Sequence, residues 1–254
     1  MIISIINQKG GVGKSTTAQN LGAGLADAGY NVLLVDLDNQ CNLSYSLDAL
    51  DKQPTIYDVL TGSAKAEEAI VEAGRVKLIP SSSFLVGADK LLSDTGSEYR
   101  LKEALASVRK KFDFILIDTP PALGILTINA LTASDKLLIP SQADIFSIQG
   151  IAQLYNSVEA VKKYTNKGLS ILGILLTRFN GKTAISKGMV KALEAMASEK
   201  KTEIFKTSIR ECVAVKEAQT MKKDIFTYSR KSNATRDYQA LVNEVLVKLN
   251  KKRK

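Results

Sequence analysis

A glycine-rich stretch near the N-terminus constrains the fold more than any other part of the sequence. Residues 7–17 read Asn-Gln-Lys-Gly-Gly-Val-Gly-Lys-Ser-Thr-Thr; an apolar run at 2–6 before them predicts a buried strand, and residues 18–28 after them predict a helix. A strand, a glycine-rich loop and a helix in this order are the context of a phosphate-binding loop. Glycines let successive backbone N–H groups turn toward phosphate oxygens, and the helix N-terminus adds partial positive charge.

The residues around these glycines specify the chemistry of the loop. Lys14 is placed to reach the outer phosphates of a nucleotide, and the Ser15 hydroxyl is placed to ligate magnesium. The usual phosphate-loop pattern has glycine at position 8, whereas this chain has Gln8 followed by a second lysine, Lys9. The resulting Lys-Gly-Gly-Val-Gly-Lys-Ser resembles the deviant Walker A motif of the ParA/MinD ATPases. The alternative, a glycine-rich turn with two solvated lysines, requires many specified positions to coincide by chance.

A second predicted strand, residues 31–36, leads into two carboxylates, Asp36 and Asp38. Residues two apart on an extended segment face the same way, and ligands bind at the carboxyl ends of strands in open α/β sheets. The pair resembles the Walker A′ motif of the same family, usually Asp-x-Asp-Pro-Gln, although Asn39 stands where proline is usual. The resemblance implies that Asp38 orients the attacking water and that Asp36 supports the magnesium. A turn or helix-capping role is the alternative for both.

A third predicted strand, residues 112–118, ends at Asp118. An apolar strand that ends in a carboxylate, after a phosphate loop, is the Walker B arrangement, in which the carboxylate holds magnesium, usually through water. Residues 119–124 resemble the switch II segment of ParA-like ATPases, which would sense the γ-phosphate and signal its presence to partners.

The remaining pattern predicts an α/β fold. Further strands are expected at 76–80, 135–140, 169–178 and 204–209, and helices at 42–50, 55–60, 84–92, 99–110, 146–164, 183–197 and 234–249. Near-continuous apolar strands predict a parallel sheet that is covered on both faces. We therefore expect a P-loop NTPase three-layer sandwich with a mostly parallel twisted sheet of about 7–8 strands. The resemblance implies one ParA-like ATPase domain over 1–254, with no N-terminal helix-turn-helix domain and a basic tail at about 250–254.

The resemblance also implies a nucleotide site and its cofactors, ATP and Mg²⁺. Segment 209–218 resembles the family's Ile-Pro-Arg-Asn-Val-Arg-Leu-x-Glu-Ala, but Arg210, Glu211 and Ala214 replace its proline and both arginines. The chain has no obviously strong base, so slow intrinsic hydrolysis of ATP to ADP and phosphate is expected. The catalytic residues would be Lys14, Asp38 and Lys9, and the metal residues Ser15, Asp118 and Asp36. The nucleotide-binding residues would be Lys9, Gly10, Gly11, Val12, Gly13, Lys14, Ser15 and Thr16, with Thr177, Arg178 and Arg210 around the base.

Lys9 carries the expectation of a homodimer. In the resembled family this lysine crosses a dimer interface and touches the phosphates of the partner's ATP, so that the dimer forms only with ATP. The alternative is that Lys9 contacts phosphate within its own chain or is solvated.

The formal net charge of +9 suggests a polyanionic partner. By resemblance this would be non-specific DNA in chromosome or plasmid partition, with a ParB-like protein that stimulates hydrolysis, and the ATP-bound form would be associated with the nucleoid. For each candidate DNA-binding cation named next, the alternative is an ordinary solvated surface charge. Lys182 matches a DNA-contacting arginine of the family, and weaker DNA-binding candidates are Lys216, Lys222, Lys223, Arg230, Lys231 and Arg236.

Composition excludes several other functions. The chain has no histidine, which rules out histidine-based catalysis. Cys41 and Cys212 lack metal-ligand spacing, which argues against the iron–sulfur reductases that share the loop. No apolar run approaches the ~20 residues of a membrane span and no signal peptide is present, so a cytoplasmic location is expected. A MinD-like positioning ATPase that docks on the membrane through its C-terminal helix is the alternative function. We expect no membrane partner, because the apolar stripe of that helix is more simply explained by packing on the core.

Overall fold

The computed structural model describes residues 1–181 and 184–253, with the backbone alone at 184 and 185. It contains one eight-stranded sheet in the order β3-β4-β2-β5-β1-β6-β7-β8. All neighbouring strands are parallel except β3, which is antiparallel to β4 at one edge. The strands are β1 Ile2–Ile5, β2 Val32–Asp36, β3 Val71–Ala73, β4 Val76–Ile79, β5 Phe114–Asp118, β6 Lys136–Ser141, β7 Ser170–Thr177 and β8 Ile204–Ile209.

Eleven α-helices and three short 3₁₀ segments connect these strands in the part of the chain that the structure describes. The 3₁₀ segments are Ser83–Gly87, Ser97–Tyr99 and Arg109–Lys111. The helices are α1 Lys14–Asp27, α2 Asn42–Ser46, α3 Ile56–Thr61, α4 Ala88–Leu91, α5 Arg100–Ala106, α6 Ile125–Ala133, α7 Ile145–Tyr164, α8 Ala184–Glu199, α9 Val213–Thr220, α10 Ile225–Tyr228 and α11 Asn233–Lys248.

The strands are apolar on both sides because both faces of the sheet are covered. On β1, Ile3 and Ile5 pack toward α1 and α11, whereas Ile2 packs toward the layer that contains α3, α5 and α6. A third cluster packs α7 and α8 on β6 and β7. The result is the predicted three-layer sandwich, with β1 near the middle of the sheet. Because the chain runs to one side of β1 through β2 and to the other through β6, the loop after β1 lies at the topological switch point, where such sheets bind ligands.

The C-terminal helix α11 is part of the core. Its stripe of Tyr238, Leu241, Val242, Val245 and Leu246 is at most 3 % exposed. This leaves no free apolar face of the kind that an interfacial membrane helix inserts. Among the described residues, no helix combines the length and hydropathy needed to cross a bilayer.

Several short elements differ from the sequence expectations. The predictions lack strand β3 and helices α6, α9 and α10, all of which are short, with three to nine residues each. The predicted helix at 18–28 begins at Lys14, since the glycine loop itself ends in its first turn. The expected helix at 84–92 is a 3₁₀ segment followed by the four residues of α4.

Candidate active site

The glycine loop joins β1 to α1 at the carboxyl edge of the sheet. Gly13 caps α1 with φ +86°, and Gly11 has φ +72°, both in the left-handed region that favours glycine. Asn7 anchors the loop on both sides: its side-chain amide donates to the Pro140 carbonyl at 2.7 Å, and its Oδ1 accepts from the Lys9 N–H at 2.9 Å. Asn7 therefore ties the start of the loop to the end of β6. A cavity of about 570 Å³, which we call the phosphate cavity, lies over the loop and is bordered by Asp38 and α9.

Lys14 and Asp118 lie together beneath this cavity. Lys14 is 7 % exposed, and burial lowers its pKa, which Asp118 and Asp38 oppose. Asp118, at the end of β5, is fully buried, and neither carboxylate oxygen has a hydrogen-bond partner among the described residues. Burial, aided by the nearby Asp36, raises the pKa of Asp118 well above its ordinary value; the Ser15 hydroxyl and the Lys14 ammonium, which lie near the carboxylate without forming a hydrogen bond that meets the ordinary geometry, only partly offset this. A buried carboxylate without partners is costly for a folded protein, which indicates that it serves a ligand.

This site fits a magnesium ion. The orphaned oxygens of Asp118 and the Ser15 hydroxyl are the hard oxygen ligands that Mg²⁺ takes beside nucleotide phosphates. Elsewhere among the described residues, no group of three or more acidic, cysteine or histidine side chains forms an all-protein metal cage. A metal that shares its ligands between protein and substrate phosphates is therefore the arrangement the residues allow.

Asp36 and Asp38 occupy different positions although they are two residues apart. Asp36 is fully buried; it accepts hydrogen bonds from the Ser44 N–H (2.8 Å), the Ser44 hydroxyl (2.7 Å) and the Asp38 N–H (3.2 Å). Burial raises its pKa to about 6 despite these donors. Asp38 instead lines the phosphate cavity, where its Oδ1 accepts from the Gln40 N–H. Asp36 is therefore placed to hold the segment from Asp38 to Ser44, and Asp38 is placed to face a group in the cavity. Direct metal binding by Asp36 stays a prediction.

Lys9 leaves the phosphate cavity and pairs with Asp144. Its Nζ lies 2.7 Å from the Asp144 Oδ2, and both side chains are about one-third exposed (31 % and 32 %). Asp144 also caps α7 by accepting from the Ser147 N–H at 2.9 Å. Burial opposes ionisation of Asp144, but the donors from Lys9 and Ser147 outweigh it and lower its pKa. The Lys9 side chain therefore lies at the rim of the site, whereas Lys14 lines the cavity over the glycine loop.

A second cavity of about 170 Å³ opens beside the loop, and it brings together the three residues predicted around the base. Thr177, at the end of β7, donates from its hydroxyl to the Val12 carbonyl at 2.8 Å. Arg178 pairs with Glu211 at 2.7 Å across the mouth of the cavity. Arg210 is held by Asp237, with Nη2–Oδ1 at 2.6 Å and Nε–Oδ2 at 3.0 Å. The cavity continues from the phosphate loop, as a base-binding pocket must.

The predicted DNA-binding residues are dispersed. Lys182 lies outside the described residues. Lys216 lines both cavities, and Lys222 is paired with Asp48 at 2.5 Å. Lys223 and Arg236 are exposed on the surface near α10 and the start of α11. The assignment of these cations to DNA stays a prediction.

Comparison with known proteins identifies the family. A family model described as an AAA domain matches residues 1–171. The sporulation initiation inhibitor protein Soj of Bacillus subtilis is 40% identical over 250 residues, covering 96% of this chain and 97% of Soj. The chromosome partitioning protein ParA of Caulobacter vibrioides is 36% identical over 252 residues, covering 96% of this chain and 93% of ParA. The chain belongs to the Soj/ParA family of P-loop ATPases.

Solved structures agree with this membership. A Cyanothece McdA–ATP complex superposes with a TM-score of 0.88 at 26% identity, covering 100% of this chain and 97% of McdA. A cobyrinic acid a,c-diamide synthase from Mycobacterium smegmatis, with an ATP analogue and magnesium, gives 0.83 at 32% identity, covering 95% and 92%. The predicted fold class, ATPase activity and cofactors ATP and Mg²⁺ are thereby confirmed. The relatives Soj and ParA favour partition over the MinD-like alternative.

Three contacts around the site of this Soj/ParA ATPase were not predicted from the sequence. Asp144 binds Lys9, Asp237 positions Arg210, and Gln219 donates to the Thr16 hydroxyl at 2.9 Å. Each joins residues at least 27 positions apart. Only the strand order, which places β6 beside β1, could have pointed to Asp144.

Proposed function

We propose that this protein is a DNA-partition ATPase whose ATP-bound homodimer binds DNA non-specifically and is released when a ParB-like partner stimulates hydrolysis. Its relatives Soj and ParA support partition, and the basic composition supports a polyanionic partner. The cytoplasm, with the nucleoid as the site of the ATP-bound form, is the location that follows from this function.

In this proposal the loop residues bind ATP and the carboxylates organise hydrolysis. Lys14 neutralises the outer phosphates, Ser15 and Asp118 would hold magnesium, and Asp38 orients the attacking water. Bound magnesium would neutralise phosphate charge in the transition state. Asp36 is buried and keeps the segment around Asp38 in place through its hydrogen bonds with Ser44. The chain has no histidine to act as a general base, which is consistent with slow hydrolysis until a partner acts.

The position of Lys9 is the observation that supports the proposed homodimer. Its ammonium group is paired at the rim, 2.7 Å from Asp144, and does not point at its own phosphate cavity. A cation at the rim is available to an ATP held by a facing subunit, whereas Lys14 serves the ATP of its own chain. Assembly would then depend on nucleotide, and DNA-binding cations from two subunits would be brought together.

The test is DNA binding with ATP, with ADP and without nucleotide, at about 50 and about 200 mM salt. Binding that requires ATP and weakens steeply with salt supports the proposal. Lys9→Ala should bind ATP nearly as well as the wild type, yet lose the ATP-dependent dimer in light scattering. An unchanged Lys9→Ala dimer would falsify the crossing role of this lysine. Co-sedimentation with liposomes instead of DNA would favour the membrane-positioning alternative.

A further inference from the structure

The two cavities of the nucleotide site meet along a shared boundary. We call the smaller one, about 170 Å³ in volume, the base cavity. Five of the described residues line both the base cavity and the phosphate cavity. Three belong to the glycine loop and the start of α1, and two belong to α9: Gly11, Gly13, Thr16, Lys216 and Gln219. The boundary therefore has the loop on one side and α9 on the other.

A bound nucleotide crosses this boundary. Its base lies in the base cavity, and its outer phosphates lie over Lys14 in the phosphate cavity. The ribose and the α-phosphate connect these two parts, so they lie at the boundary. The backbone N–H groups of a phosphate loop cradle the α- and β-phosphates from one side. The other side of the α-phosphate is left to the residues of α9.

Lys216 supplies a positive charge at this boundary. Among the residues that line both cavities it alone is charged, and its side chain is exposed. It forms no ion pair with a carboxylate in the described part of the chain. Glu211 is already held by Arg178 at 2.7 Å; this contact lowers the pKa of Glu211, and the charge of Lys216 adds to the effect. The Lys216 ammonium is therefore available to an anion in the cavities.

Helix α9 is held in place beside the loop. The Gln219 side-chain amide donates to the Thr16 hydroxyl at 2.9 Å, which ties α9 to the first turn of α1. At the start of α10, the Ile225 N–H donates to the Asn20 side chain at 2.8 Å, which ties the following segment to the same helix. Lys216 thus extends from a helix that is anchored to α1, the helix that follows the phosphate loop.

We propose that Lys216 binds the α-phosphate of the bound nucleotide, on the side that the glycine loop leaves open. A lysine ammonium is a compact charge with three rotatable donors, which suits a phosphate oxygen at the boundary of two cavities. The other two lysines of the site have different places: Lys14 lies under the outer phosphates, and Lys9 is paired with Asp144 at the rim. Because ATP and ADP both carry an α-phosphate, Lys216 stabilises both nucleotides equally.

A DNA contact is the competing role for Lys216. The cavities favour the nucleotide, since its phosphate chain lies within reach of a side chain that lines both of them. The two roles differ in a measurable way, because a DNA contact leaves nucleotide affinity unchanged when no DNA is present. The inference rests on the nucleotide site of the proposed function, but on neither DNA binding nor dimerisation.

The experiment measures nucleotide affinity by isothermal titration calorimetry, in magnesium buffer without DNA. ADP and a non-hydrolysable ATP analogue are the two probes. Lys216→Gln removes the charge, whereas Lys216→Arg keeps it. Lys191→Gln is the matched control, because Lys191 is an exposed lysine on helix α8 that lines neither cavity. Thermal melting of the nucleotide-free proteins at the wild-type temperature shows that all three variants are folded.

Lys216→Gln should weaken the binding of both probes by the same factor, about 10-fold, since it removes a hydrogen bond between charged groups at an exposed position. Lys216→Arg and Lys191→Gln should stay within about 3-fold of the wild type. Unchanged affinity in Lys216→Gln would overturn the inference and leave the proposed function standing. So would a loss confined to the ATP analogue, which would place the lysine at the γ-phosphate. A wild type that binds neither probe would overturn the proposed function as well.

The two diastereomers of ADPαS test the position of the contact on the nucleotide. Each replaces one non-bridging oxygen of the α-phosphate with sulfur, which accepts a hydrogen bond less well. In the wild type one diastereomer should bind more weakly than the other, and the ratio of their affinities should shrink towards unity in Lys216→Gln. A ratio that is the same in both proteins would show that Lys216 does not bind the α-phosphate.

Discussion

Replacing Asp144 with asparagine is expected to tighten ATP-dependent dimerisation. In the monomer the Lys9 ammonium is held 2.7 Å from Asp144. A lysine that crosses to the partner's phosphates must leave this carboxylate, so the ion pair stabilises the monomer against the dimer. Asparagine removes the charge but keeps the side-chain oxygen that caps α7 at the Ser147 N–H. The variant therefore isolates the ion pair from the helix cap.

The magnitude follows from exposure. Both side chains are about one-third exposed, and partly exposed ion pairs contribute about 0.2–1 kcal/mol each. Two such pairs break per dimer, which gives about 0.4–2 kcal/mol, or a dimer Kd lower by about 2- to 30-fold. The gain should shrink at high salt, because screening weakens the pair in the wild-type monomer.

The assay is sedimentation velocity over a protein concentration series, with magnesium and a non-hydrolysable ATP analogue. Glu203→Gln is the matched control, because it breaks the Lys248–Glu203 pair of the same 2.7 Å length at the opposite edge. It should leave the dimer Kd unchanged. A weaker Asp144→Asn dimer would refute the reasoning and assign Asp144 a contact within the dimer itself.

Three further predictions concern the site and the core. Lys14→Ala should abolish ATP binding in calorimetry; retained binding and hydrolysis would contradict the assignment of the phosphate loop. Asp118→Asn should abolish magnesium-dependent hydrolysis yet stabilise the nucleotide-free protein by about 1–3 kcal/mol, since it removes an unpartnered buried carboxylate. Because the pKa of Asp118 is raised in the folded state, the wild-type protein loses stability as the pH rises from about 4 through that pKa. The difference in free energy of urea unfolding between Asp118→Asn and the wild type should therefore grow with pH. A difference that is the same at every pH would show that the ionised Asp118 carboxylate does not cause it. Gly24→Ala should lower the free energy of urea unfolding by about 1–3 kcal/mol, because a Cβ on α1 would lie 2.6 Å from Val242 and 2.9 Å from Phe226. A variant more stable than the wild type would show that these two side chains can move to accommodate the added methyl group.

Local sequence carried the fold class and the centre of the site. The glycine loop, Asp38 and Asp118 are predictable because each is defined by residues next to it in the chain: glycines that permit a left-handed turn, or an apolar strand that ends in a carboxylate. The parallel sheet is equally predictable, since strands that are buried on both faces must be apolar throughout.

Contacts between segments that are distant in the chain could not be predicted from the local sequence. The Lys9–Asp144 pair depends on β6 lying beside β1, and the hold of Asp237 on Arg210 depends on α11 packing along β8. A net charge of +9 is a property of composition, but where that charge is concentrated is decided by strand order, because electrostatic attraction depends on distance in space and not on distance along the chain.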